Sequence, residues 1–211
     1  MKNKIPIEVK KLYKKFNLIV KIYIRLRWLL CPFEKIESYL PEKGVILDIG
    51  CGYGLLANFL ALKSAKRRVV GIDNNSKRLK VAKKTVINSS KIKFINRDLR
   101  RLNLPECMGV TISDVLHHLP ENILNDLLTN IYNKMKFGGK MVIEEVDIRP
   151  RWKYFLNILV DKIILYPKDK INFKPAEYWE DLFKKIGFKV KVISANKGLP
   201  LSDIIFVCTK K

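Results

Sequence analysis

Acidic side chains are scarce in this chain. Only 20 Asp plus Glu stand against 42 Lys plus Arg in 211 residues, a formal charge of +22. That excess sets up a positive potential that draws the phosphates of nucleic acid or of an anionic lipid surface. Lys, Ile and Asn are all abundant, so a lysine-rich composition accounts for part of it. Cysteine is sparse too. Cys31, Cys51, Cys107 and Cys208 form no C-x-x-C pair, which argues against a disulfide framework or a zinc site and fits a reducing cytoplasm. Long apolar runs are missing: no uncharged stretch reaches the roughly 18 residues of a membrane span. The N-terminal segment also lacks the short apolar core and small-residue cleavage site of a signal peptide. The expected location is the cytoplasm, in solution or peripherally on the inner face of the membrane.

What is present suits one sizeable core, with 48% hydrophobic and 10% aromatic residues and no internal repeat. From residue 45 onward, short β-rich runs alternate with longer helical patterns, the mark of a parallel sheet with crossover helices. Strands are predicted at Val45 to Ile49, Val69 to Ile72, Ile92 to Ile95, Gly109 to Ser113 and Lys140 to Glu145. Between them, "LLANFLALKSA", "SKRLKVAKKTVINSS" and "NILNDLLTNIYNKM" carry apolar residues at three- and four-residue steps. Pro105 to Gly109 is too short for a helix, so that connection is cramped. After Pro175, the helix "AEYWEDLFKKIG" is closed by Gly187. Two last strands follow, Phe188 to Ser194 and Ile204 to Thr209, joined through Lys197, Gly198 and Pro200.

Two segments lie outside this alternation. From about Val9 to Leu30, a helical wheel gathers Lys10, Lys11, Lys14, Lys15, Lys21 and Arg25 on one side. Leu12, Phe16, Ile19, Val20, Tyr23, Ile24, Leu26 and Leu30 take the other. Leu18, Ile22 and Trp28 intrude on the basic face, and Arg27 on the apolar one. The second segment, Arg151 to Pro167, is apolar on nearly every side and holds one acid, Asp161.

The chemistry is concentrated in "VILDIGCGYGL", where Gly50, Gly52 and Gly54 follow an apolar run that contains Asp48. A glycine-rich turn between a first strand and a first helix lets backbone N–H groups approach a ligand closely. A dinucleotide fingerprint is spaced G-x-G-x-x-G, whereas this turn is G-x-G-x-G. Asp48, two residues before the first glycine, would repel a pyrophosphate and suits a cationic ligand.

"LDIGCGYG" resembles the first motif of the class I S-adenosylmethionine-dependent methyltransferases. In that family the loop lies against the methionine part of the cofactor, whose ammonium and sulfonium are positive, which gives Asp48 a physical reason. The resemblance continues over residues 40 to 211. It implies that Asp73 in "VVGIDNN" accepts hydrogen bonds from the ribose hydroxyls, with Asn74 beside it. It implies that Asp98 in "IKFINRDL" contacts the adenine amino group, with Leu99 beside the ring. Ser113 ends the fourth strand, and Cys51 completes the loop as a small turn residue with no basic neighbour to activate it. The implied fold is α/β: a Rossmann-like, doubly wound, seven-stranded sheet, mostly parallel with an antiparallel C-terminal strand, plus an N-terminal amphipathic helix. Residues 1–35 form the basic helical segment and 36–211 the methyltransferase domain.

An activated sulfonium needs chiefly alignment and exclusion of water. A base is required only where the acceptor loses a proton. Asp114, His117, His118 and Glu145 are candidates for that role, and the sequence does not select among them. Glu144, Glu145 and Asp147 alternate in direction along the fifth strand. The two histidines cannot form a metal site alone and nothing nearby completes one, so no metal is expected.

The acceptor is less legible. "SDVLHHLP" departs from the N/D-P-P-Y/F signature of base amino-group methylation and is similar to methyltransferases that act on quinones and other small or lipid molecules. A small-molecule or lipid substrate is therefore expected, with residues 9–30 meeting an anionic membrane surface or capping the cofactor pocket. The alternatives are an RNA methyltransferase that uses the positive charge and a nonenzymatic scaffold that keeps the cofactor fold.

Overall fold

The computed structural model describes residues 4–101, 103–149, 151–152, 172–195 and 203–211. Nearly all of the apolar segment Arg151 to Pro167, and the loop through Lys197, Gly198 and Pro200, lie outside these residues.

Seven strands form one sheet: β1 (Gly44–Ile49), β2 (Arg67–Asp73), β3 (Ile92–Asn96), β4 (Cys107–Ser113), β5 (Met135–Val146), β6 (Phe188–Ser194) and β7 (Asp203–Lys210). Their spatial order is β3-β2-β1-β4-β5-β7-β6. Strands β1 to β5 pair in parallel, and β7 runs antiparallel to both β5 and β6. The expected fold class is the observed one. The order reverses between β1 and β4, and ligands of open α/β sheets bind beyond the carboxyl ends of strands at such a switch point.

Both faces of the sheet are covered, so its central strands are apolar without alternation. In β1, Ile46, Leu47, Asp48 and Ile49 are all buried. Ile46 belongs to a core that includes Val20, Ile24, Trp28, Phe59 and Leu60. Leu47 and Ile49 face a second core with Leu124, Leu128, Trp179 and Phe183. The first is built by α1 (Ile7–Leu12), α2 (Leu18–Leu30), α3 (Phe33–Tyr39), α4 (Leu55–Lys63) and α5 (Ser76–Lys84). The second rests on α6 (Glu121–Lys134) and α7 (Ala176–Ile186), which ends at Gly187 with φ 117°. The cramped connection between β3 and β4 holds only a 3-10 turn at Leu99–Arg101.

The N-terminal segment is helical but broken. Asn17 caps α2, its side chain accepting the Val20 N–H at 3.0 Å, and the bend that precedes it resets the helical phase. A single wheel over Val9 to Leu30 therefore misplaces several residues. Ile19, expected on the apolar face, is 74% exposed, while Trp28, expected on the basic face, is 2% exposed. The segment is part of the core: Val9, Tyr13, Val20, Ile24 and Trp28 are buried against α3, α4 and the sheet.

Candidate active site

The turn after β1 is shaped by its glycines. Gly50 has φ 75°, and a Cβ there would come within 2.3 Å of Val115 Cγ2 in the loop after β4. Gly54 has φ 78° and starts α4. No L side chain with a Cβ adopts these conformations without strain. The backbone is then tied to the next strand: Gly52 N–H donates to Asp73 Oδ2 at 2.7 Å, and Asn75 N–H donates to Asp73 Oδ1 at 2.7 Å. Asp73 thus holds the loop with one bond per oxygen and keeps further lone pairs for a ligand.

Asp48 is buried, and its Oδ2 has no hydrogen-bond partner among the described residues. Burial pushes its carboxyl up to about 7; the nearby Asp73 adds to the rise, while the Ala57 N–H and Arg27 oppose it. An orphaned buried carboxylate beside a glycine turn is stabilised by a cation. S-adenosylmethionine, with its positive ammonium and sulfonium, is the kind of ligand these residues fit.

Helices α2 and α3 close over this cleft. Tyr23, Arg27 and Phe33 line it together with Asp48, Gly50, Cys51, Gly52, Tyr53, Leu55, Leu56 and Ser113, and the cavity left is about 30 Å³. The cover is pinned by aromatic contacts. Tyr23 and Tyr53 meet edge to face at 4.8 Å, with the Arg78 guanidinium 5.8 and 5.9 Å from the two rings. Tyr13 Oη donates to the Tyr53 carbonyl at 3.0 Å and accepts from Asn58 Nδ2 at 3.0 Å.

The far wall is the loop after β4. Arg27 reaches Asp114 Oδ2 at 2.5 Å and Ser113 Oγ at 3.4 Å, all three being buried. Burial alone would raise the Asp114 carboxyl, but the charges of Arg27 and the neighbouring histidines outweigh it and hold it below its ordinary value. Asp114 is also the one non-glycine residue with positive φ, 61°, among the described residues. Ser113 donates to Glu144, whose carboxyl burial, together with Asp114 and Asp203, pushes well up. Glu145 is fully buried and binds His117 Nδ1 at 2.6 Å while accepting the Leu116 N–H at 2.8 Å. It fixes both the loop and the ring. His118 lies against His117, ring centroids 4.1 Å apart.

The fold therefore gathers Asp48, Gly50, Cys51, Gly52, Ser113, Asp114, His117, His118 and Glu145 around the switch point. Asp98 and Leu99 stand at the end of β3, where Asp98 is half-exposed and gripped by Arg100 Nε at 2.9 and 3.0 Å. Leu99 is half-buried against the second core, and Asn74 is exposed. Arg27, Tyr23 and Phe33 are site residues that motif spacing misses, because they come from helices that precede the motif. One signal was present: an arginine on the apolar side of a helix. No metal-ligand spacing stands in the sequence, yet Cys31, Asp114 and Glu144 bring donor atoms within 4.8 Å of one another. Arg27 and Ser113 already engage the two carboxyls, and burial pushes the Cys31 thiol up, so it keeps its proton.

A model of the methyltransferase domain matches residues 46–139. A ubiquinone biosynthesis O-methyltransferase of Rickettsia canadensis is 31% identical over 186 residues, 83% of this chain and 74% of that one. Among solved structures, an O-methyltransferase family protein from Burkholderia thailandensis aligns with TM-score 0.73 at 11% identity over 95% of this chain and 62% of its own. Human N-acetylserotonin methyltransferase, solved with S-adenosylmethionine, aligns with TM-score 0.70 at 18% identity over 98% and 60%. The chain thus spans about three fifths of the length of these two solved proteins, which share its fold. Similarity over most of both chains in the rickettsial case, laid on this strand order, makes the chain a member of the class I S-adenosylmethionine-dependent methyltransferases.

Proposed function

We propose that the chain transfers the methyl group of S-adenosylmethionine to an oxygen of a small, lipophilic, quinone-related acceptor at the cytoplasmic face of a membrane. One observation carries the reading of the acceptor: the sign of charge around the cleft. Its buried charged groups are mostly acidic, with Asp48, Asp73, Asp114, Glu144 and Glu145 at or near strand ends against one arginine, Arg27, which is paired with Asp114, and the rest of its cover is aromatic. A phosphate-rich polymer is repelled by such a wall, whereas a neutral ring packs against Tyr23, Phe33 and Leu56. The name of the rickettsial relative agrees with an acceptor of this kind. Among the described residues no helix is long and apolar enough to cross a membrane.

The cofactor supplies an activated methyl group when bound. Asp48 and the glycine turn receive its positive end, Asp73 its sugar, and the α2–α3 cover keeps water out. A hydroxyl acceptor must lose a proton. Asp114, its carboxyl held low by Arg27, is a weak base that places charge beside the acceptor. The His117–His118 pair, with the first ring held by Glu145, is the alternative acceptor of the proton when its rings are neutral.

Calorimetry with S-adenosylmethionine, followed by transfer of labelled methyl from it, tests the proposal. Catechol- and hydroquinone-type acceptors with apolar tails should be labelled and total RNA should not. Label entering RNA in a steeply salt-dependent way would replace this reading with the polymer one. Absence of cofactor binding would leave only a scaffold.

A further inference from the structure

Most of the positive charge of the N-terminal helices has no ion-pair partner among the described residues. Between residues 4 and 30 the sequence holds eight Lys plus Arg and a single acid, Glu8. Arg27 is spent on Asp114. Lys10, Lys11, Lys14, Lys21 and Arg25 have no ion-pair partner among the described residues, yet all five border one cavity of about 330 Å³ between α1 and α2. Five like charges around one hollow repel each other unless an anion is supplied from outside. The rest of the cavity wall is mostly apolar: Ile5, Ile7 and Ile24. The matching ligand is an amphiphile, with an anionic head and an aliphatic tail.

The surface beside the cavity has the same character. Leu18, Ile19, Ile22 and Leu29 of α2 are 67%, 74%, 45% and 48% exposed, and Ile7 of α1 is 67% exposed. On α2, Leu18, Ile22 and Leu29 fall within about 40° of one another, with Arg25 and Lys21 within about 60° on the flank. An aliphatic stripe bordered by cations is the pattern of a helix that lies in the boundary between head groups and acyl chains. We infer that α1 and α2 dock on a bilayer containing anionic phospholipid, one lipid phosphate entering the cavity among the five cations while the stripe enters the acyl boundary.

This deepens the membrane placement proposed above and rests on it. It adds a physical link to the site, because α2 then has two working faces. The outer one meets lipid, and the inner one, through Tyr23 and Arg27, covers the cofactor cleft. A lipophilic acceptor leaving the bilayer meets the same helix that covers the cofactor cleft.

The test is sedimentation with vesicles of phosphatidylglycerol in phosphatidylcholine and with phosphatidylcholine alone. The wild type should bind the first and only weakly the second. Each lysine near an anionic surface contributes about fivefold to partitioning, so Lys10→Gln, Lys14→Gln and Lys21→Gln combined should lose about 100-fold. Ile19→Ser with Ile22→Ser should lose about tenfold without any change of charge. Both variants should keep the wild-type melting profile and cofactor affinity, since none of these residues lines the cofactor cleft. Equal binding to both vesicle types, or an unaffected lysine variant, would overturn the inference. So would tight binding of inorganic phosphate or glycerol phosphate with the isoleucine variant still sedimenting like wild type, which would make the cavity a site for a soluble anion. RNA capture lost in the lysine variant, with no vesicle binding, would overturn it in favour of a polymer. Methyl transfer to a dispersed acceptor is read separately, so a failed membrane inference and a failed activity give different results.

Discussion

Exchanging Asp48 for asparagine keeps the shape of the side chain and removes its charge, which separates what the carboxylate does for binding from what it does to the fold. Burial lifts its carboxyl from 3.8 to about 7. At 1.36 kcal/mol per pH unit, holding it ionised inside the free protein costs roughly 4 kcal/mol above pH 7. The folded state binds the proton more tightly than the unfolded one, so this cost is absent below about pH 4, grows as pH rises to about 7, and is constant beyond. Asparagine leaves part of a buried amide without a partner, which takes back about 1–3 kcal/mol. Asp48→Asn should then be about 2 kcal/mol more stable than wild type near pH 8, a gain of about 4–8 °C in Tm for a chain of this size. Near pH 5 that gain should largely vanish. The same variant should bind S-adenosylmethionine about 10- to 100-fold more weakly, as expected for loss of a charged hydrogen-bond acceptor. Thermal unfolding at both pH values and calorimetry decide the matter. A gain independent of pH, or unchanged cofactor affinity, would refute the account of Asp48 as an orphaned, cation-seeking carboxylate.

Arg27→Met should cost about 3 kcal/mol, because it strands the buried Asp114 carboxylate, and should weaken cofactor retention by loosening the cover. Asp114 is held below its ordinary value, so its stabilisation is present above the usual carboxylate range and lost as pH falls through the lowered one; melts from neutral to acid pH should show the wild type losing more than the variant. Glu145→Gln should destabilise by about 1–3 kcal/mol, since an amide cannot accept both the Leu116 N–H and a His117 N–H as the carboxylate can. Its pH–rate profile should shift while cofactor affinity, measured by calorimetry, stays within error; an unshifted profile would remove His117 from the proton path.

The strands were legible because each is a short apolar run bounded by turn residues, and the buried central sheet leaves no alternation to confuse the reading. Boundaries moved mainly where pairing extends a strand beyond its apolar part. β5 begins at Met135 rather than Lys140 because Met135 pairs with Cys107 across a shift in register. The N-terminal helices were legible as helical but not in phase. Nothing in the period of the wheel reveals that Tyr13 turns inward to reach Tyr53 and Asn58, or that Asn17 restarts the helix, and a break of a few residues is enough to rotate one face into another.

The site divides along the same line. Residues that act through local sequence, the Gly50 to Gly54 turn with Asp48 before it and Asp73 at the next strand end, can be read because their spacing is set by one turn and one crossover. Residues that act through pairing cannot. Arg27 and Asp114 are 87 positions apart, and although each draws notice in its own window, nothing there names the other; only the packing of α2 over the switch point makes them partners. That pairing changes how the charge of the chain is understood. With Arg27 turned inward to neutralise an acidic wall and the other cations of α1 and α2 turned outward, the net +22 is not a property of the reaction centre at all. A positively charged protein can in this way keep a cleft whose own groups favour a cation and repel phosphate.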